Sequence, residues 1–406
     1  MIKSSKNVEI KNYIIENDKN FIKNSFDEIF NKNSILKPCF LTDNNIWQNC
    51  QKEFIQHITK FNCRLILLDN PKCSDYHAKK LLNKIKDHDF VIALGSGTIN
   101  DLCKYVTKKI NINFVIFASA ASMNGYLSNN CSILINNHKK SINCLAPIKV
   151  YCDINIIKNA PINMIKAGIG DILCFYNCYF DWLVASKIFG YELNQQSIDI
   201  LQPLIDNFIK NYDIYNLKDD KLYYIICEIL MVSAISMNIA GGSMPVSQGE
   251  HIIAHLLEMK YQSYISNLLH GEVIAITSII TSKIQGKILK NISKYCQDLV
   301  NNIDISQIED NKDYFDKITY EQCCEEYNKK VNHIKLLKKI DPQKLAKLKS
   351  ELKIIYSKIH YISVIYIFFE IDIDPKRLNI SENKLYNIIK NAKYIRNRLT
   401  CLDFDC

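Results

Sequence analysis

Four short apolar runs, Pro38–Asp43, Arg64–Asp69, Phe90–Leu94 and Asn113–Phe117, recur through the first part of the chain with polar, helix-patterned stretches between them. Spacers of roughly 15 to 20 residues are too long for hairpins and suit crossover helices, so the alternation predicts βαβ units and a parallel sheet. From about Pro161 the pattern changes to long segments of helical periodicity, and strand-like runs are hard to find. No glycine follows Gly286, and only Pro342 and Pro375 follow Pro245. The expected organisation is an α/β N-terminal domain over residues 1–158 and an all-α C-terminal domain over residues 159–406.

A chain of 406 residues is long enough for two domains of ordinary size. Its net charge of +9 does not point to a nucleic-acid partner, because the basic residues are nearly all Lys, spread evenly among Asn and Ile. The 16 cysteines run from Cys39 to Cys406 without a CxxC or a repeated spacing, as reduced thiols in a cytoplasmic protein would. Cys174 with Cys178, and Cys323 with Cys324, read as packing residues. The opening residues hold no apolar run of signal-peptide length, and no stretch of 18 apolar residues predicts a membrane span. No solenoid repeat is visible. The Lys-, Asp- and Glu-rich stretch from Asn301 to Leu352 reads as solvated helices and loops at the periphery of the second domain.

Asp89 to Lys104 reads as an apolar strand, a glycine turn and a helix start, with Gly95, Ser96, Gly97, Thr98, Ile99, Asn100 and Asp101 forming the turn. Glycines there let backbone N–H groups and a helix dipole approach a pyrophosphate. Alone the motif is weak, since a ligand-free turn has the same form. It also departs from the Rossmann fingerprint: Asn100 stands at the third glycine position, and the loop follows about the third expected strand instead of the first. A second segment, Ser119-Ala120-Ala121-Ser122-Met-Asn124-Gly-Tyr126-Leu-Ser128, follows the next strand at the C-terminal edge where α/β sheets bind ligands.

Together these segments resemble the superfamily of iron-type alcohol dehydrogenases, glycerol dehydrogenase and dehydroquinate synthase, and most of all its sn-glycerol-1-phosphate dehydrogenase branch. There the second segment usually reads T-A-P-S-M-(D/N)-G-Y; Ser119 replaces the Thr and keeps its hydroxyl, while Ala121 replaces the Pro. Gly168-Ile-Gly170-Asp171, Ser247-Gln-Gly-Glu250-His251 and His270-Gly271-Glu272 extend the resemblance, which covers residues 35–285. It implies a dehydroquinate synthase-like fold and a divalent metal on Asp171, His251 and His270; dehydroquinate synthases carry Glu at the first of these. Two imidazoles and one carboxylate leave coordination positions open, as a catalytic metal needs, and zinc, iron and nickel all accept the set, zinc being the first expectation. His251 and His255 are four apart and share a helical face.

By the same resemblance NAD(P)H lies on Gly95 to Asp101, Ser119, Ala120, Ala121, Ser122 and Ser128. Asn124, Asp171 and His255 contact a triose or glycerol phosphate, with Asn124 and His255 as catalytic residues and His255 relaying a proton. Asp43, ending the first expected strand, could accept hydrogen bonds from the adenosine ribose or could only cap the next helix. Lys139 and Lys140 could face a substrate phosphate or merely edge a strand. His57, His77 and His138 have no such context. The implied reaction is reversible reduction of dihydroxyacetone phosphate to sn-glycerol 1-phosphate. A dehydrogenase for unphosphorylated polyols and a catalytically silent binding protein are the alternatives, and assembly into a homo-oligomer is left open.

Overall fold

The computed structural model describes residues 12–135, 138–336 and 340–405. The extreme N-terminus, the side chain of His138 and Cys406 lie outside the described residues. Eight strands are present among the described residues: β1 (Tyr13–Glu16), β2 (Pro38–Asp43), β3 (Arg64–Leu68), β4 (Phe90–Gly95), β5 (Asn113–Ala118), β6 (Asn130–Ile135), β7 (His138–Asn143) and β8 (Lys149–Asp153). Six form one sheet in the order β1-β8-β5-β4-β2-β3, parallel throughout, while β6 and β7 make a separate antiparallel hairpin. The four expected strands are β2 to β5, so the glycine turn follows the fourth strand in the chain. Beyond Asp153 every regular element among the described residues is helical.

Two compact units result, each with its own core. The first runs to Ile165 and also takes Lys218–Ala234; the second comprises Lys166–Leu217 and the residues from Ile235 onward. Residues 218–234, far past the 158/159 division read from the sequence, thus cluster with the sheet-bearing unit.

All six residues of β4 are buried, as a central parallel strand covered on both faces must be. One face carries an aromatic core in which Phe26 meets Phe40, Phe54 and Phe117, with ring centroids 5.7 to 6.4 Å apart. His57 stacks on Phe26 at 5.3 Å inside this core, and the His77 ring sits 3.0 Å from the Ser74 hydroxyl at the start of the helix Asp75–Ile85. Both are structural residues. Lys139 and Lys140 lie on β7, paired with Leu134 and Ile133 of β6.

The helix Asp220–Ile239 is long and apolar enough to cross a membrane, the one such helix among the described residues; 67% of its most apolar window is buried within the protein. That burial is what a core helix shows. The stretch from Asn301 to Leu352 is less peripheral than its composition suggests. The helix Lys317–Lys335 buries Tyr327, Val331 and Ile334, and Lys330 makes a fully buried ion pair with Asp403 at 2.7 Å. Lys330 also donates to the Lys393 carbonyl, while Asp403 accepts from the Thr400 N–H. A buried pair satisfied on both sides fixes one arrangement of the C-terminal turn.

Candidate active site

In the first unit Gly95 ends β4, and the helix Gly97–Ile110 starts two residues later with Ser96 extended at its cap. A Cβ on Gly95 would lie 2.4 Å from that of Ile99, so the fold itself demands glycine there. At Gly97 a Cβ would meet nothing nearer than the Met123 side chain, at an ordinary 3.5 Å. Gly97 therefore serves no packing need, and its absent side chain leaves the helix N-terminus open to close approach.

The loop after β5 is tied down from within. Ser119 N–H donates to the Gly95 carbonyl at 3.0 Å, and the buried Tyr126 hydroxyl donates to Ala120 O at 2.8 Å. Lys104, with no exposed surface, reaches from the helix to Gly125 O, Ser128 Oγ and Asn130 O. Its ammonium is held below the usual lysine range by burial, with Asp101 3.9 Å away as counter-charge. These anchors tie the loop that carries Ala121 to the sheet and to the helix Gly97–Ile110. The buried amide of Asn100 faces the carbonyls of Gly125 and Tyr126, and Asp101 accepts from Ser132 N–H. Ser128 is committed to this network, whereas Ser122 is only half-buried. Asn124 lies on the same loop. Asp43 caps the helix Asn44–Lys60, accepting from Ile46 N–H at 2.9 Å, which is the capping role named for it.

The second unit brings Asp171, His251 and His270 together, with one ligand atom from each lying within 4.8 Å of the others. They come from three helices, Ile162–Leu173, Gly249–Tyr261 and His270–Lys290. His251 Nε2 stands 3.3 Å from Asp171 Oδ1, and its Nδ1 is 2.9 Å from Glu250 Oε1. His270 Nδ1 is 2.7 Å from Glu258 Oε1. Each imidazole is thus held by a carboxylate on one nitrogen, which orients the other as a ligand and raises its basicity. Burial works against charge on His251, but Asp171, Cys174 and Glu250 around the ring outweigh it and hold its pKa well above the ordinary histidine range. Two imidazoles and a carboxylate in so negative a pocket fit a divalent cation. His255 lies one turn beyond His251, its ring stacked on His270 at 5.7 Å.

Glycines explain how the helices meet. A Cβ on Gly170 would stand 2.1 Å from Gly271 O, and one on Gly271 would stand 1.9 Å from Ala167 O. The residues beside Asp171 and His270 therefore allow backbone-to-backbone contact. Gly271→Ala should force the two helices apart and cost about 1–3 kcal/mol or more of stability, as overpacked sites do. A urea midpoint equal to that of the wild type, with unchanged metal content, would contradict this account.

Glu258 and Lys104 were not singled out from the sequence. Glu258 lies seven residues after His251, on the same helical face, and that spacing was the available signal. Glu258→Gln should weaken metal binding by roughly 10- to 100-fold, as loss of an outer carboxylate partner does. Competition with a chelator measures it, and an unchanged affinity would leave Glu258 without this role.

Known proteins share this fold. Residues 19–161 match the model of the iron-containing alcohol dehydrogenase family. Among solved structures, an archaeal alcohol dehydrogenase from a Red Sea brine pool superposes with a TM-score of 0.60 at 11% identity, covering 99% of this chain and 98% of that one. Glycerol dehydrogenase from Schizosaccharomyces pombe gives a TM-score of 0.55 at 16% identity, covering 90% and 94%. The fold is accordingly that of the iron-type alcohol dehydrogenases. Glycerol-1-phosphate dehydrogenase of Pyrococcus horikoshii is 33% identical over 210 residues, 51% of this chain and 60% of that protein. The enzyme of Thermococcus sibiricus is 30% identical over 244 residues, 59% of this chain and 68% of that protein. This chain belongs to the glycerol-1-phosphate dehydrogenase family, although its match spans only about six-tenths of the Pyrococcus relative's length.

Proposed function

We propose that the protein catalyses reversible, NAD(P)H-dependent reduction of dihydroxyacetone phosphate to sn-glycerol 1-phosphate in the cytoplasm. The observation that carries this reading is the convergence of Asp171, His251 and His270, each imidazole held by a carboxylate, in a chain of this family. A divalent metal on these three, zinc being the first candidate, would polarise the substrate carbonyl as a Lewis acid, while the nicotinamide carries the hydride. Glu250 and Glu258 keep the two ligand rings oriented, and Asp171 adds the negative charge that favours a dication. His255 supplies the proton for the carbonyl oxygen when the alcohol forms and takes it back in the reverse direction. Asn124 is assigned a substrate contact on the family resemblance alone. On the nucleotide side, the open helix N-terminus at Gly97 to Ile99 receives the pyrophosphate. Ser119, Ala120, Ala121 and Ser122 form the loop beside it, and the role of Ser128 is to hold that loop through Lys104.

Asp43 supports a preference for NADH. One of its oxygens caps the helix, and the other could accept from a ribose hydroxyl while its charge repels a 2′-phosphate. The ratio of kcat/KM for NADH to that for NADPH should fall in Asp43→Asn, which keeps a capping oxygen. An unchanged ratio would leave capping as the residue's whole role. The substrate class is tested by assaying dihydroxyacetone phosphate beside free dihydroxyacetone and glycerol. A clear kcat/KM advantage for the phosphate ester is expected, and equal or better use of the free polyols would replace this reading with that of a polyol dehydrogenase.

A further inference from the structure

The His251 ring faces a second group of donors through its other nitrogen. Cys174 and Cys178, one turn apart at the start of the helix Phe175–Phe189, are completely buried, as is Glu250. Ligand atoms of Cys174, Cys178, Glu250 and His251 all lie within 4.8 Å of one another. The two sulfurs are 3.9 Å apart, close to the ~3.8 Å edge that a tetrahedral ion with Zn–S bonds of about 2.3 Å would set. Glu250 Oε1 is 2.9 Å from both Cys178 Sγ and His251 Nδ1. Its other oxygen, Oε2, is buried without a hydrogen-bond partner. A carboxylate oxygen enclosed in this way is costly unless a cation or donor reaches it.

We infer that Cys174, Cys178, Glu250 and His251 Nδ1 form a second metal site, closed and sulfur-bearing, which takes a thiophilic dication of the zinc and cadmium type. Binding releases one proton from each thiol and the Nδ1 proton of His251 to solvent, and forms two metal–sulfur bonds, one metal–nitrogen bond and one metal–oxygen bond. The dication, two thiolates and one carboxylate sum to a single negative charge. The half-buried Arg398, whose guanidinium donates to Ser247 O and Ser243 Oγ and feels the charges of Cys178 and Glu250, balances it. If the cysteines were packing residues only, as their spacing alone suggests, Glu250 would still orient His251 through Oε1, but its buried Oε2 would meet neither cation nor donor.

The shared ring couples the two centres, and only this consequence rests on the function proposed above. A neutral imidazole offers one lone pair. With Nδ1 on the sulfur-bearing site, the ring's remaining proton sits on Nε2, which faces Asp171 and can then no longer ligate there. Excess thiophilic metal should therefore displace the metal held by Asp171 and His270 and inhibit turnover.

Cadmium titration of the full-length protein, followed by the sulfur-to-cadmium charge-transfer band, tests the site without reference to activity. Wild type and Asp171→Asn should both develop the band to a single saturating equivalent, and Cys174→Ser/Cys178→Ser should lose that equivalent with its circular dichroism unchanged. Cys178→Val, which keeps the packing volume, should lose it as well if the double variant fails to fold. Absence of the band in wild type, or its undiminished presence in the cysteine variants, would overturn the proposal. Inhibition by excess zinc should be relieved in Cys178→Val, and equal inhibition of both proteins would remove the coupling while leaving the site.

Discussion

Asp171→Asn should purify nearly free of metal and retain almost no turnover. The substitution keeps the side chain's shape and removes one negative charge from a buried pocket whose acceptor stands 3.3 Å from His251 Nε2. An amide oxygen is a weaker ligand than a carboxylate, and among the described residues no other acidic group joins the three-residue set formed by Asp171, His251 and His270. The loss in metal affinity should exceed the roughly 10- to 100-fold that follows removal of an outer partner, since here a ligand itself is changed. Elemental analysis and steady-state kinetics on the same preparation measure both effects. A metal-free Asp171→Asn protein with full activity would rule out a catalytic metal on this residue.

The second large effect separates two histidines on one helix. His251→Ala removes a ligand and also strips Glu250 Oε1 of its imidazole partner, so the protein should be metal-poor and nearly inactive. His255 lies one turn on, with its ring 6.0 Å from that of His251 and stacked on His270, and it is absent from the three-residue ligand set. His255→Ala should therefore retain its metal and lose turnover by ~10²- to 10⁴-fold, the range that general acid–base catalysis supplies. If His255→Ala loses metal and His251→Ala keeps it, the two assignments are reversed. If both keep metal and activity, no catalytic metal resides on this helix.

Much of this architecture is legible in the chain because its signals are local. Strands β2 to β5 are apolar runs of five or six residues with helical spacers, and burial of a parallel sheet on both faces makes such runs unavoidable. Strand β1 has four residues, and β8 begins with Lys149 and ends with Asp153, too short or too polar at the ends to stand out. The glycine motifs were readable as motifs, but their cause was not. Only the crossing of two helices distant in sequence shows that Gly170 and Gly271 let backbones touch. Lys104 is one of 51 basic residues, and nothing along the chain marks it as the buried anchor of a loop whose Gly125 carbonyl lies 21 residues away. Likewise, Lys330 sits in a run that looks solvated, and its partner Asp403 is supplied by the far C-terminus. The long-range pairings are where sequence reading stopped, since burial of a charge is decided by the partner and not by the residue's own neighbours.

The central claim is a metal-dependent reduction of a triose phosphate, and the most direct measurement is NADH oxidation with dihydroxyacetone phosphate by stripped and metal-reloaded protein, with enantiomer analysis of the product. Reloaded protein should consume NADH and yield sn-glycerol 1-phosphate, and stripped protein should do neither. Equal rates with and without metal, no turnover of dihydroxyacetone phosphate after reloading, or formation of the opposite enantiomer would contradict the account.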